Sequence, residues 1–263
     1  SDEDCWSLFE KHSFRNEESM RNQELEVIGK EIVKKYKGLP LAAKVAGGLL
    51  GSKGTFKEWE DIFNSDEWCQ SNTKDGILPA LRLSYIHMHS HLKRCFAYCA
   101  LFHKDYKFKK EELILLWMAN DLLEHPGNNK RIEDVGDEYF CELRQRAFFQ
   151  KSSDDSFYMH DLINDLANSV SGKYYVRLED HHQQQSLVNK VRHFSYTCSF
   201  WDVYEKFKQL RQATHLRTFL PIRKDKLYIR PISKKFLHEI VPNLSPLRVL
   251  SLAGYSLPDL PDS

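Results

Sequence analysis

The chain has 263 residues, 41% hydrophobic and 13% aromatic. That is enough bulky side chain to bury real cores, which excludes wholesale disorder, and at about 150 residues per domain two or three compact units are expected rather than one. Lys and Arg number 38 against 37 Asp and Glu, a formal net charge of +1, so no global field gathers nucleic acid or anionic lipid and any partner must be recognised locally. The longest apolar stretches, such as Leu113 to Ala119, fall far short of the roughly 20 residues of a transmembrane helix. The opening Ser1-Asp2-Glu3-Asp4 is no signal peptide. Cys5, Cys69, Cys95, Cys99, Cys141 and Cys198 are too sparse for a disulfide scaffold, so a soluble, intracellular chain with reduced, buried thiols is expected. Because it lacks an initiator Met, the chain also reads as a piece of a longer protein.

From Gln23 to Lys37 the residues Leu25, Ile28, Ile32, Val33 and Tyr36 recur at helical spacing, with Lys34, Lys35 and Lys37 in the last turn, where cations suit the helix dipole. Gly38 stops this helix, and Pro40 opens a second, Leu41 to Leu50, whose Ala and Gly content permits close packing. A third helical pattern covers Phe56 to Phe63, followed by a polar loop near Ser71 to Gly76. From Ile77 onward, Leu78, Leu81, Tyr85, Leu92, Phe96 and Leu101 mark one or two helices broken between Ile86 and His91. Further helices are predicted from about Lys110 to Leu123 and from about Ile132 to Ala147. Phe148 to Lys151, a Ser/Asp turn at Ser152 to Ser156 and Phe157 to Met159 read as a β-hairpin, and helical periodicity resumes from His160 to Val170. Helices followed by a hairpin point to a winged-helix module. Gly172 to Asn189, with its His181 to Gln185 stretch, reads as an exposed polar connection. Beyond it, Val191-x-x-Phe194-x-Tyr196, Leu216-x-x-Phe219 and Leu247-x-x-Leu250-x-Leu252 are strand-like marks 25 and 31 positions apart, the last continuing to Leu257 and Leu260-Pro261. They resemble leucine-rich repeats with one insertion, and since each repeat stacks its apolar edge on the next, more repeats are expected beyond Ser263.

Trp6-x-x-Phe9, Gly38-Leu39-Pro40-Leu41-Ala42, Cys95-Phe96-Ala97-Tyr98-Cys99-Ala100-Leu101-Phe102, Leu113 to Ala119 and Met159-His160-Asp161, followed by repeats, stand in one order along nearly the whole chain. In that order they resemble the nucleotide-binding leucine-rich-repeat immune receptors of plants, the NB-ARC proteins of the coiled-coil class. Two departures are local: His103-Lys104-Asp105 stands where Pro-Glu-Asp is usual, and Asn120-Asp121 where Glu-Gly is common. The resemblance implies a mainly α fold, with a helical ARC1-type bundle and a winged-helix domain, followed by the start of an α/β leucine-rich-repeat solenoid. The implied divisions are 1–76 (the end of the nucleotide-binding domain and the helical domain), 77–171 (winged helix), 172–190 (linker) and 191–263 (first repeats).

On the residues alone, Gly38 to Ala42 is ordinary helix punctuation and His160 is a capping or partly buried imidazole. The resemblance adds that Pro40, flanked by Leu39 and Leu41, packs on an adenine, and that His160 reaches the β-phosphate of ADP with Asp161 as an orienting or first-turn charge. It implies an ADP/ATP switch, in which ADP holds a closed form and pathogen perception permits exchange and self-association. The implied partners are a pathogen effector or guarded host protein, met through the repeats, and the implied compartment is the cytoplasm, nucleus or plasma-membrane periphery. The chain contains no Gly-x-x-x-x-Gly-Lys-Ser/Thr and no aliphatic run ending in paired acids, so no ATP hydrolysis is expected from it alone, and Mg2+ is expected only in the intact protein. Cys95, Cys99 and His103 share a helix face but lack a fourth ligand, and His87, His89 and His91 have no acid or Cys beside them, so neither group is assigned a metal. Direct DNA binding is not expected either. The candidate recognition helix carries Glu133, Asp134, Asp137, Glu138 and Glu142 against Arg131, Arg144 and Arg146, and those acids would repel phosphates.

Overall fold

Between Gln23 and Leu50 the backbone follows the punctuation written in the sequence. Helix α2 (Gln23–Lys35) ends before Gly38, whose φ of 78° is the left-handed conformation that glycine adopts without strain, and Pro40 then occupies the first turn of α3 (Pro40–Leu50). A computed structural model describes residues 2–14, 23–36, 38–65, 79–127, 130–178, 190–198, 204–223, 230–232 and 234–257. The loop expected at Ser71 to Gly76, the His181 to Gln185 stretch and Leu260-Pro261 lie outside them. The chain divides into two compact units.

The first unit comprises Ser1–Phe96, Lys104–Ile114 and Leu123–Leu166. Helix α1 (Asp2–Ser13) crosses α3 so closely that a Cβ at Gly47 would lie 2.7 Å from the Phe9 carbonyl oxygen, and one at Gly51 would lie 2.6 Å from that of His12. Helix α4 (Phe56–Phe63) begins on a capping box, Thr55 receiving the Glu58 N–H while the Glu58 carboxylate accepts from the Thr55 N–H. Its Trp59 is buried, donates from Nε1 to the Leu50 carbonyl at 3.1 Å, and meets Phe9 edge-on. Together with Leu25, Ile28, Ile32, Ala42 and Leu49 these residues form one continuous core.

Helices α5 (Pro79–Ile86) and α6 (Ser90–Tyr98) fall on either side of the break expected between Ile86 and His91. Helix α7 (Lys110–Ala119) stops short of the expected Leu123, and α8 (Ile132–Gln145) short of Ala147. The reason is the same in both. Asp121 and Ala147 hold φ of 59° and 60°, and the amides of Leu122 and Phe148 bond back to the carbonyls of Trp117 and Leu143, closing each helix with a left-handed cap built without glycine. The hairpin is β1 (Gln150–Lys151) with β2 (Phe157–Tyr158), antiparallel, and Phe108 adds an isolated bridge to Phe157. Phe148 and Phe149, expected to open the hairpin, instead precede the strand and fill the core. There Phe149 stacks on Phe140 with centroids 5.0 Å apart, and Phe148 meets Phe96 at 4.8 Å. Helix α9 (Asp161–Ser171) follows.

The second unit comprises Ala97–His103, Leu115–Leu122 and Ala167–Ser263. Its centre is a four-stranded parallel sheet in the order β3 (Tyr175–Leu178), β4 (His193–Thr197), β5 (Thr218–Ile222) and β7 (Val249–Leu250). His193 pairs with Thr218 and Thr218 with Val249, so the register steps are the 25 and 31 positions that separate the sequence marks. The first strand corrects the sequence reading. Tyr175–Leu178 lies within the stretch taken for a polar connection, yet it pairs with His193 to Tyr196. One face of the sheet packs Phe194, Tyr196 and Phe219 against Phe207 of α10 (Tyr204–Phe207) and Phe236 of α11 (Lys234–Glu239). Ser195, facing the other way, donates to the Leu101 carbonyl, and Arg177 donates to those of Ala100 and Phe102. Outside this sheet, β6 (Arg230–Pro231) pairs in parallel with β8 (Tyr255–Ser256).

Candidate functional site

The two predicted site segments both fall at the first turn of a helix in the first unit. At α3 the chain enters through Leu39 in extended conformation, with no side chain capping the helix. Leu39 is 45% exposed, Pro40 is exposed, and Leu41 is buried in the core. The apolar face available to a ligand is therefore Leu39 and Pro40, while Leu41 anchors them from beneath. Because proline carries no N–H and has its φ already fixed, an exposed Pro40 presents a rigid apolar ring with no polar group to desolvate.

At α9, His160 is the residue just before the helix, and its carbonyl accepts from the amides of Ile163 and Asn164 at 2.8 and 3.0 Å. Its ring turns back, Nδ1 accepting from the Leu162 N–H at 3.2 Å. The capping role that the residues alone allowed is thus the one this chain adopts. Accepting at Nδ1 requires a lone pair there, so the ring hydrogen sits on Nε2. The ring is exposed, so Nε2–H is an available donor at a helix N-terminus, where the helix dipole also favours an anion. Asp161 is exposed in the first turn of the same helix, a position that suits a carboxylate. No hydrogen bond or ion pair among the described residues joins Leu39 or Pro40 to His160 or Asp161.

The remaining candidates are occupied structurally. Cys95 and Cys99 are buried, and burial pushes the Cys95 thiol far above its usual range. No group of three or more metal-ligating side chains occurs among the described residues. On α8, Glu142 holds the buried Arg146 guanidinium at 2.8 Å, Asp137 pairs with Lys110 at 3.2 Å, and Glu138 with Lys130. Three of the acids of this helix thus lie in ion pairs with bases at Arg146, Lys110 and Lys130. Among the described residues, no helix is long and apolar enough to cross a membrane.

A buried polar cluster in the second unit escaped the sequence reading. Asn120, His193 and Thr218 are 1%, 4% and 0% exposed, and each stands beside a charged residue, Asp121, Arg192 or Arg217, with no pattern that marks it as buried. The departure at Asn120-Asp121 was the one signal, and it reported helix-end chemistry as well as a core contact.

Residues 101–167 match the family model described as the disease resistance protein winged helix domain. An RPP13-like disease resistance protein of Arabidopsis thaliana is 40% identical over 266 residues, covering 99% of this chain and 25% of that protein. The disease resistance protein RGA2 of Solanum bulbocastanum is 51% identical over 174 residues, which are 65% of this chain and 18% of that protein. The disease resistance protein RPM1 of Arabidopsis thaliana is 29% identical over 274 residues, 99% of this chain and 28% of that protein. The chain thus spans between 18% and 28% of the length of these relatives.

Proposed function

Because the chain belongs to the plant disease resistance proteins and carries their winged-helix domain, we propose that it is the helical, winged-helix and first-repeat portion of an ADP- and ATP-binding switch in the defence response to pathogens. The observation that carries this reading is the His160 ring. With Nδ1 spent on the Leu162 amide, the exposed Nε2–H is held in a fixed direction beside a helix N-terminus, which is the arrangement a terminal phosphate of ADP would require. Pro40 and Leu39 supply the exposed apolar surface for the base. ADP offers a group of each kind, a phosphate for the one position and a flat aromatic base for the other.

A hydrogen bond from the imidazole to a charged phosphate contributes about 1.5 to 3 kcal/mol. Full reversal of a two-state equilibrium needs about 5.5 kcal/mol, so His160 would bias the closed form without holding it alone. The phosphate loop and Mg2+ ligands are assigned to a part of the receptor outside this chain, which by itself would not turn over ATP. The parallel ladder β3 to β7, with its steps of 25 and 31, supports reading residues 175 onward as the first leucine-rich repeats. Through further repeats the receptor would meet a pathogen effector or a guarded host protein, self-associating on activation in the cytoplasm, nucleus or plasma-membrane periphery.

The test uses the intact receptor, with bound ADP extracted and quantified from purified protein. His160→Ala removes both the cap and the phosphate donor. His160→Asp keeps a good helix cap while turning an acceptor toward the phosphate. The switch reading expects His160→Asp to lose more ADP than His160→Ala; a capping role alone reverses that order. Asp161→Val should raise cell death in leaves without any pathogen ligand, and an unchanged background would count against the clamp.

A further inference from the structure

Three arginines stand on consecutive rungs of the parallel sheet, each immediately before its strand: Arg192 before β4, Arg217 before β5 and Arg248 before β7. Their backbones are laddered, the Arg217 amide donating to the Arg192 carbonyl at 2.6 Å and the Arg248 amide to that of Arg217 at 2.8 Å. The column continues at its other end into Tyr174, whose carbonyl accepts from the Arg192 amide and whose exposed ring lies 4.9 Å beneath the Arg192 guanidinium. Neighbouring rungs of a sheet are about 4.8 Å apart, so three guanidinium groups are confined to a strip about 10 Å long.

Among the described residues, one carboxylate faces this strip. Asp121 Oδ2 is 3.9 Å from Arg248 Nη1, the side chains being 55% and 39% exposed. Arg192 and Arg217 make no ion pair among the described residues, and Arg217 is half-buried between its two neighbours. Its charged form is disfavoured by burial first and then by Arg248 and Arg192, with Asp121 acting in the opposite direction, so positive charge outnumbers negative along the column. Stacked cations that outnumber their counter-charges are stabilised by an anion that several of them can share, and the planar guanidinium fork matches phosphate oxygens two at a time.

We infer that Arg192, Arg217 and Arg248 form a binding site for a compact polyphosphate anion. Spacing favours this class over an acidic peptide. Carboxylates on one face of an extended chain recur only every two residues, about 6.6 Å, whereas adjoining phosphoryl groups bring their oxygens closer together than neighbouring rungs. Asp121 competes with the anion for the same guanidinium groups.

The experiment titrates the 263-residue chain with inorganic tripolyphosphate, following its thermal midpoint and the heat of binding at constant ionic strength, with sulfate as the control. Tripolyphosphate should raise the midpoint more than sulfate does. Arg217→Gln, and separately the exposed Arg192→Gln, should weaken binding by about tenfold or more, the scale of one charged hydrogen bond. Asp121→Asn should tighten it, a gain that a damaged fold cannot imitate. Lys151→Gln, which removes an exposed cation of the β-hairpin, should leave binding unchanged. The proposal is overturned by equal stabilisation from sulfate, by binding that survives Arg192→Gln and Arg217→Gln, by an equal loss in Lys151→Gln, or by a glutamate oligopeptide binding where tripolyphosphate does not.

Discussion

Thr218 Oγ1 donates to Asn120 Oδ1 at 3.0 Å, and that one hydrogen sets the direction of every other bond around it. Having spent its only proton, the Thr218 hydroxyl must accept from Tyr98 Oη at 3.3 Å and from His193 Nδ1 at 3.0 Å. Asn120 Nδ2 in turn donates to the Leu116 carbonyl at 2.9 Å and to Tyr98 Oη. Four buried polar side chains from α6, the end of α7, β4 and β5 thus satisfy one another. Replacing Asn120 by Leu strands the Thr218 hydroxyl and should cost about 1 to 3 kcal/mol in urea unfolding. Asn120→Leu with Thr218→Val should cost less than the sum of the two single changes, because the second change removes the group that the first left unpaired. Strict additivity would show that the cluster does not act as a unit.

His193 gives this cluster a pH dependence. Burial first, then Arg217, Arg192 and Arg248, lower its pKa from the ordinary 6.5 to about 3. Below pH 6.5 the unfolded chain takes up a proton that the folded chain refuses until about pH 3. Stability is therefore fully present above pH 6.5 and falls as pH drops through that window, with a limiting slope of about 1.4 kcal/mol per pH unit. His193→Asn keeps a donor toward Thr218 without a titrating ring. The difference between the parent and this variant, read from urea midpoints at pH 7.5 and pH 5, should shrink on acidification as the parent loses its advantage. A constant difference would show that the ring titrates alike in both states.

The sequence exposed most of this architecture wherever periodicity and punctuation agreed. Gly38 and Pro40 delimit α3, Thr55 and Glu58 start α4, and the spacing of Phe194, Phe219 and Leu250 reproduces the sheet register. Legibility failed where a backbone state had no residue signature. Asp121 and Ala147 close helices in the left-handed conformation without glycine, so both helices read as too long. The strand Tyr175–Leu178 carries aromatic, Val and Leu side chains that are all only half-buried, and without a leucine mark it read as connection. Residue type marked His160 and Pro40, but only coordinates show that Leu41 turns inward and that the His160 ring spends Nδ1 on its own helix.

The left-handed cap at Ala147 can be tested directly. At φ of 60° a β-branched side chain meets its own backbone, so Ala147→Val should destabilise by more than about 1 kcal/mol. Ala147→Gly removes the strain and also a buried methyl group worth about 0.8 kcal/mol, so it should be close to neutral. If chemical denaturation finds the glycine variant as damaged as the valine variant, side-chain packing rather than backbone conformation governs the site.

The helix that presents Pro40 is held from behind by a contact that only glycine permits. A Cβ at Gly48 would lie 2.6 Å from the Gln145 carbonyl oxygen and 2.8 Å from the Arg146 Cα, and both are backbone atoms at the end of α8 that cannot rotate aside. Gly48→Ala must therefore push α3 away from α8, at a cost of about 1 to 3 kcal/mol. Gly54 has nothing within 4 Å of its would-be Cβ, so Gly54→Ala should be neutral or stabilise by about 0.4 to 1 kcal/mol through the unfolded chain. Because Pro40 and Gly48 belong to one helix, the displacement should also reach the proposed adenine face. In the intact receptor, Gly48→Ala should then lower the ADP retained on purification while Gly54→Ala leaves it unchanged. Full ADP retention in a measurably destabilised Gly48→Ala protein would separate the position of α3 from nucleotide binding.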